Sequence, residues 1–147
     1  MDDRPVGVAE QETAERTAAA MERADAAGRG AGVRLLDVGP GRARVALTVQ
    51  DRHVNGHGIC HGGYVFLLAD AAFAYACNSE GVPAVASGAD VAFLNPARAG
   101  DELVAEARER ARTGRSGLYD VTVRCGDVVV AEFRGRSRQV PGLSAPA

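Results

Sequence analysis

Asp70 is the lone charge inside the run Tyr64-Val65-Phe66-Leu67-Leu68-Ala69-Asp70-Ala71-Ala72-Phe73-Ala74-Tyr75-Ala76-Cys77. A helix this apolar is expected to be wrapped by the rest of the fold, and a carboxylate there costs stability unless something pairs with it or uses it. Just upstream lies His53-Val54-Asn55-Gly56-His57-Gly58-Ile59-Cys60-His61-Gly62-Gly63. Glycines at a helix start let a ligand approach backbone N–H groups closely. Together the two stretches describe attack on a polarised carbonyl. The amides hold the oxygen on which charge develops, and the carboxylate activates water or attacks directly.

Plainer readings exist for each residue. Asp70 could be an idle buried carboxylate, hydrogen-bonded to backbone or to a second subunit, but apolar surroundings make an unused charge expensive. His53, His57 and His61 recur every four residues, a spacing at which a helix lines up metal ligands. Gly56 and Gly58 argue against a helix there and no carboxylate completes a set, so no metal is expected. His61 is expected to order the loop before the helix through hydrogen bonds. Cys60 beside a helix start invites a thiolate reading. Adjacent residues rarely face each other as nucleophile and base, so a small packed thiol is favoured. Cys77 and Cys125 fall on apolar faces and are expected in the core. Gly62 and Gly63 either make a tight turn into the helix or admit a thioester oxygen to the backbone; the second is the sharper reading.

Spacing adds a constraint. Eight helical residues separate Gly62 from Asp70 by about 12 Å along the axis, whereas donor and base must both lie within about 3 Å of the reacting group. One copy of the helix cannot supply both. Two antiparallel helices can, so a site shared across a homodimer is expected, two sites per dimer.

The elements that must hold this stretch are legible from pattern. Glu10 to Ala27 is rich in Ala, Glu and Arg and reads as a peripheral helix stopped by Gly28, with Gly28 to Gly32 as a loop. Val33 to Val38 and the alternation of Val45, Leu47 and Val49 with Arg44, Ala46 and Thr48 read as two strands around Gly39-Pro40-Gly41. Asp51 to His61 carries too much Gly for regular structure. The core helix is expected from Gly62 to Ser79, closed by Gly81. Four strands follow: Val85 to Phe93, Glu102 to Ala111, one centred on Tyr119 to Cys125, and Val128 to Val140 after a Gly126-Asp127 hairpin. The expected organisation is a helix and loop over 1–32, one domain over 33–140 and a flexible tail over 141–147. One helix covers such a sheet only if the sheet curls around it, and the edges left over call for a second subunit.

Bulk properties narrow the class. The 147 residues fit a single domain. A formal net charge of -2 offers no surplus to neutralise phosphates, against a nucleic-acid partner. Three cysteines without a C-x-x-C pair suit a reducing compartment. The acidic start Met1-Asp2-Asp3 is unlike a signal peptide, and the most apolar run is short and broken by Asp70, against a membrane span. A cytoplasmic enzyme is expected.

The same residues resemble a family. Asn55-Gly56-His57, His61-Gly62-Gly63, Leu68-Ala69-Asp70 and Phe73-Ala74-Tyr75-Ala76-Cys77-Asn78-Ser79-Glu80-Gly81 are similar to the hotdog-fold acyl-CoA thioesterases, most closely the phenylacetic acid degradation (PaaI-type) thioesterases. Phe93-Leu94-x-Pro96 with Gly100-Asp101, Gly117-x-Tyr119-Asp120 and Phe133-Arg134-Gly135-x-Ser137 agree, so the likeness spans roughly residues 33 to 139. The resemblance implies an α+β hotdog fold: a curved antiparallel sheet around one long central helix, plus the peripheral N-terminal helix. It implies a homodimer, usually paired into a homotetramer, that hydrolyses aryl-acetyl-CoA thioesters of the phenylacetyl or hydroxyphenylacetyl type without a cofactor. By position Asp70 matches the catalytic carboxylate, Gly62 the residue whose N–H polarises the carbonyl, and Asn55 the side chain that places water or substrate. Asn95 stands where relatives often carry Arg.

With acyl-CoA as the expected substrate, other residues acquire candidate roles. His61 and Gly63 flank the polarising amide, and Phe66 could shape an acyl pocket. Arg112, Arg115, Arg134, Arg136 and Arg138 gather near the ends of the last three strands, where guanidinium forks suit the CoA phosphates; Arg115, Arg136 and Arg138 are the better candidates, against an ordinary solvated strand face. Two rival functions stand beside hydrolysis. One is a hotdog hydratase or dehydratase acting on enoyl or hydroxyacyl thioesters, with His61 and Asp70 as its acid/base pair. The other is a non-catalytic acyl-CoA-binding module, in which Asp70, Gly62 and Asn55 would be superfluous.

Overall fold

The computed structural model describes residues 7–144. Helix α1 (Val8–Ala24) and the short α2 (Ala26–Ala31) lead into strands β1 (Arg34–Gly39) and β2 (Arg42–Thr48). A single 3-10 turn over Asp51–His53 precedes the core helix α3 (Gly62–Cys77). Strands β3 (Ala84–Phe93), β4 (Glu102–Thr113), β5 (Ser116–Cys125) and β6 (Val128–Gln139) complete the chain. All pairings are antiparallel and the spatial order is β1-β2-β4-β5-β6-β3. This is the hotdog arrangement expected from the sequence: a six-stranded sheet around α3 with an N-terminal helix outside.

The sheet curls because alternation gives it one apolar face and bulges bend its strands. Register shifts fall between Leu35 and Asp37, Ala86 and Gly88, Glu109 and Ala111, and Val123 and Arg124, each adding local twist. On the inner face Val45, Leu103, Ala105, Ala107, Val121 and Val123 are fully buried, as are Leu68, Ala69 and Ala72 of α3. The helix sits close because its buried side chains are mostly small. At the tightest point Gly135 has no Cβ, and one built there would lie 2.8 Å from the Phe73 ring. Each large apolar side chain buried here contributes roughly 1.5–3 kcal/mol. The outer face is instead a lattice of ion pairs, such as Arg44–Asp37 at 2.7 Å and Arg134–Asp120 at 2.7 Å. Half-exposed pairs of this kind are worth at most about 1 kcal/mol each and chiefly keep that face wet.

Two expectations need correction. The first helix does not run to Gly28, and 28–32 is no loop. Asp25 ends α1 and caps α2, accepting a hydrogen bond from Gly28 N–H at 2.9 Å. A capping carboxylate outcompetes continued α1. Gly28 is buried against it, where a Cβ would lie 2.1 Å from Asp25 Oδ2, and the stop is Gly32 at φ 92°. At the other end, part of the expected tail is in place: Leu143 N–H donates to the Val140 carbonyl at 2.9 Å, while residues 145–147 of that tail lie outside the described residues.

The two sheet edges differ. Along β1, α1 lies alongside and Gln11 Nε2 donates to the Val38 carbonyl at 2.8 Å, occupying part of the edge. At the far edge β3 pairs only with β6, and its Val85 and Phe93 side chains are 42% and 56% exposed. Among the described residues no helix is long and apolar enough to cross a membrane.

Candidate active site

The site is organised by the start of α3. His61 is the N-cap, and its ring Nδ1 accepts the Gly63 N–H at 2.9 Å. The residues before it are tied down: Cys60 N–H donates to Ala97 O at 2.7 Å and His61 N–H to His53 O at 2.8 Å. Gly62 is the first helical residue, and among the described residues its N–H has no partner.

Asn55 sits in the loop that folds back onto this start through the Val54–Cys60 bridge. Its Oδ1 accepts the His57 N–H at 2.9 Å and the Ile59 N–H at 3.4 Å, which holds the loop and leaves Nδ2 as the available donor. Asn55 and Gly62 line one cavity of about 490 Å³. The rest of its wall is almost wholly apolar, including Phe93, Leu94, Pro96, Ala97 and Val130. A Cβ on Gly62 would lie 3.2 Å from the Phe93 ring, so that ring lies directly over the helix start. The cavity is therefore lined by two residues that each keep a donor unpaired among the described residues, in greasy surroundings where a hydrogen bond to a carbonyl oxygen is electrostatically stronger than in water.

Asp70 lies two turns along the same helix, half-buried and outside that cavity wall. Burial pushes its carboxyl above the usual carboxylate range, and the negative charge of Asp25 adds to the shift. A raised carboxyl makes a stronger base near neutral pH. Within one chain, helix geometry keeps it about 12 Å from Gly62 along the axis, so a single copy brings together Asn55 and Gly62 but not Asp70.

The remaining candidates scatter. Gly63 does not offer its N–H, which the His61 ring occupies. Phe66 packs edge-on against Phe133 of β6, 5.3 Å between ring centres, and is 37% exposed. Arg136 is paired with Asp90 at 2.9 Å on the outer face, Arg134 with Asp120, and Arg112 with Glu80. Arg115, in the β4–β5 turn, and Arg138, near the end of β6, are exposed. Arg136 thus stands on the outer strand face in an exposed ion pair with Asp90.

The histidines form no cluster. His53 is buried, with Nδ1 accepting the Gln50 N–H at 2.9 Å and Nε2 facing the Ala31 carbonyl at 2.8 Å, so its role is to tie α2 to the loop. Among the described residues no three metal-binding side chains converge. Cys60 lines the cavity, but burial pushes its thiol up, away from the thiolate a nucleophile needs. Cys77 is buried and pushed up to about 12, mainly by desolvation. Cys125, expected in the core, is only half-buried because it ends β5 at the hairpin. A larger recess of about 790 Å³ lies between α1 and β1, but its walls hold the ion-paired Asp37, Arg42 and Arg44 and neither the free amide nor Asp70.

Sequence reasoning left the Phe93 and Leu94 wall without a role. The available signal was two large apolar residues at a strand end just before Asn95-Pro96, where a strand must stop with its side chains unburied.

Residues 57–132 match the thioesterase superfamily model. The chain is 44% identical over 128 residues to the acyl-coenzyme A thioesterase PaaI of Escherichia coli K12, covering 86% of this chain and 91% of that protein. The solved structure of the E. coli PaaI protein from the phenylacetic acid degradation operon superposes with a TM-score of 0.86 at 42% identity, over 88% of this chain and 95% of that one. A Streptococcus mutans protein solved with acetyl CoA bound superposes at 0.72 with 25% identity, over 75% and 90%. With the hotdog sheet, the half-buried carboxylate and the unpaired amide already in place, these likenesses assign the chain to the thioesterase superfamily, as a thioester hydrolase.

Proposed function

We propose that the protein hydrolyses aryl-acetyl-CoA thioesters to the free acid and CoA, at sites shared between two copies of the chain. The observation that carries the reading is the split of the machinery. Gly62, whose N–H has no partner among the described residues, lines an apolar cavity beside Asn55, while Asp70, half-buried on the same helix, lies outside that cavity's wall. Gly62 and Asp70 are symmetric in sequence about Phe66, so a two-fold axis passing by Phe66 sets each Gly62 opposite the Asp70 of the other copy. The open β3 edge supports the same pairing, because an exposed strand edge adds another strand readily.

In that arrangement the thioester oxygen accepts hydrogen bonds from Gly62 N–H and is steadied by Asn55. The second copy's Asp70 takes a proton from water, whose oxygen attacks the carbonyl carbon, or its carboxylate attacks the same carbon directly. Either route passes through an oxyanion held at Gly62, and collapse expels the CoA thiolate, which then takes up a proton; on the direct route water then hydrolyses the acyl–Asp70 anhydride, releasing the free acid and restoring the carboxylate. Antiparallel β3 pairing also turns the Phe93 end of one copy toward the Ala84 end of the other. There Arg138 stands opposite Val85 on one side and Ser116 on the other, with Arg115 in the adjoining turn. This register supports Arg115 and Arg138 of the second copy as the candidates to meet the CoA phosphates. CoA as carrier is supported by the relative named as an acyl-coenzyme A thioesterase and by the neighbour bound to acetyl CoA. An aryl-acetyl group is supported by the sequence resemblance and by the uncharged, apolar cavity wall.

The test is a thiol-release panel of aromatic and aliphatic CoA esters on wild type and Asp70→Asn. Turnover favouring aryl-acetyl esters and lost in the variant is the expected result. An enoyl absorbance change without thiol release would select the hydratase reading, and tight binding without turnover the binding module.

A further inference from the structure

We infer that His61 is a positioning residue whose ring, by capping α3, leaves Gly62 as the single free donor of the helix start; this rests on the thioesterase reading above. A helix start has four backbone N–H groups with no partner inside the helix, here those of His61, Gly62, Gly63 and Tyr64. Three of them are spoken for. His61 N–H donates to His53 O at 2.8 Å, and Tyr64 N–H to His61 O at 2.9 Å. Gly63 N–H donates to the His61 ring at Nδ1, 2.9 Å away. Only Gly62 N–H is without a partner among the described residues, and Gly62 is the one of these four residues that lines the Asn55 cavity.

One residue thus satisfies the neighbours of the working amide, through its own carbonyl and its own ring. The ring also needs room: a Cβ on Gly63 would lie 3.1 Å from His61 Nδ1, tighter than ordinary contact. Without the ring, Gly63 N–H becomes a second unpaired donor one residue from the first. Water or the substrate oxygen then divides between two amides about a residue apart, and the oxyanion is no longer held where Asp70 attacks. Contact with the transition state is lost more than contact with the ground state, so the damage falls on kcat.

Asparagine supplies the discriminating variant. Its Oδ1 caps a helix as well as any side chain and accepts from the second or third helical N–H, but it carries no imidazole. In His61→Ala, kcat for the best CoA ester of the panel should fall about tenfold with KM within about twofold, and the melting temperature should drop. In His61→Asn, both kcat and melting temperature should recover, kcat to within about threefold of wild type. If His61→Asn stays as slow as His61→Ala while its melting temperature recovers, the ring acts on the substrate itself and the positioning role is wrong. If kcat is untouched in both variants, the cap serves folding alone and the proposal fails. Absence of thiol release by wild type would instead overturn the thioesterase reading, a separate result.

Discussion

Replacing Gly62 by proline should delete one hydrogen-bond donor and almost nothing else. Proline is well accepted at the first helical position, where the missing N–H has no helical partner and the ring's φ already suits the helix. The preceding residue must be extended, and His61 already is, at φ -59° and ψ 134°. Among the described residues no hydrogen bond is lost, because the Gly62 N–H makes none. What proline adds is a ring whose Cβ lies 3.2 Å from the Phe93 ring and whose Cδ takes the place of the amide hydrogen. Phe93 is 56% exposed in the single chain; displacing its ring off-rotamer costs roughly 0.5–1.5 kcal/mol, or up to about tenfold in rate. Gly62→Ala carries the same Cβ and keeps the N–H, so it isolates the contact with Phe93. Loss of an oxyanion donor costs about 2.7–4 kcal/mol, a factor of roughly 10²–10³ in kcat. Gly62→Pro should therefore turn over about 10²–10³-fold more slowly than Gly62→Ala, with the same melting temperature as Gly62→Ala, in a thiol-release assay at saturating substrate. Equal kcat for the two variants would show that this amide does not hold the oxyanion.

Further outcomes follow from the same geometry. Asp70→Asn should lower kcat by about 10²–10⁴-fold with the oligomer intact. Because burial and Asp25 raise the Asp70 carboxyl in the folded state, wild-type kcat/KM should fall on the acid side at a pH above the ordinary aspartate value. The sign for stability is the reverse of the usual carboxylate case. The protonated form is the one the fold prefers, so stability is lost as pH rises through the raised value. Asp70→Asn should accordingly melt higher than wild type at neutral pH, a gain that vanishes in acid, as calorimetry across pH would reveal. Mixed dimers of an Asp70→Ala chain and a Gly62→Pro chain should regain activity at one competent site; none, with heterodimers isolated by two different affinity tags, would argue against a shared site. Arg115→Glu and Arg138→Glu should raise KM for CoA esters while sparing short thioesters that lack the nucleotide, whereas Arg136→Glu, which breaks only the exposed pair with Asp90, should change KM little.

The chemistry was written locally, and the chain's pattern alone was enough to find it. A single carboxylate in an apolar helical run, and glycines at that run's start, name a base and a backbone donor because burial and close approach are properties of residue type and short-range spacing. The strands too were readable, since inner positions such as Leu103, Ala105 and Ala107 alternate with charged ones along β4. Even the mismatch between Gly62 and Asp70 came from helix rise alone. Other features needed the folded chain. Whether Asp25 would stop a helix rich in alanine depended on a cap to Gly28 that only packing against the core makes worthwhile. Which glycine kept its N–H depended on where the His61 ring turned. Arg136 and Arg138 look alike in sequence, two positions apart on one strand, yet only the cross-strand register puts Asp90 within reach of the first. Such choices are made between residues far apart along the chain, by distances of a few ångströms that no local pattern encodes.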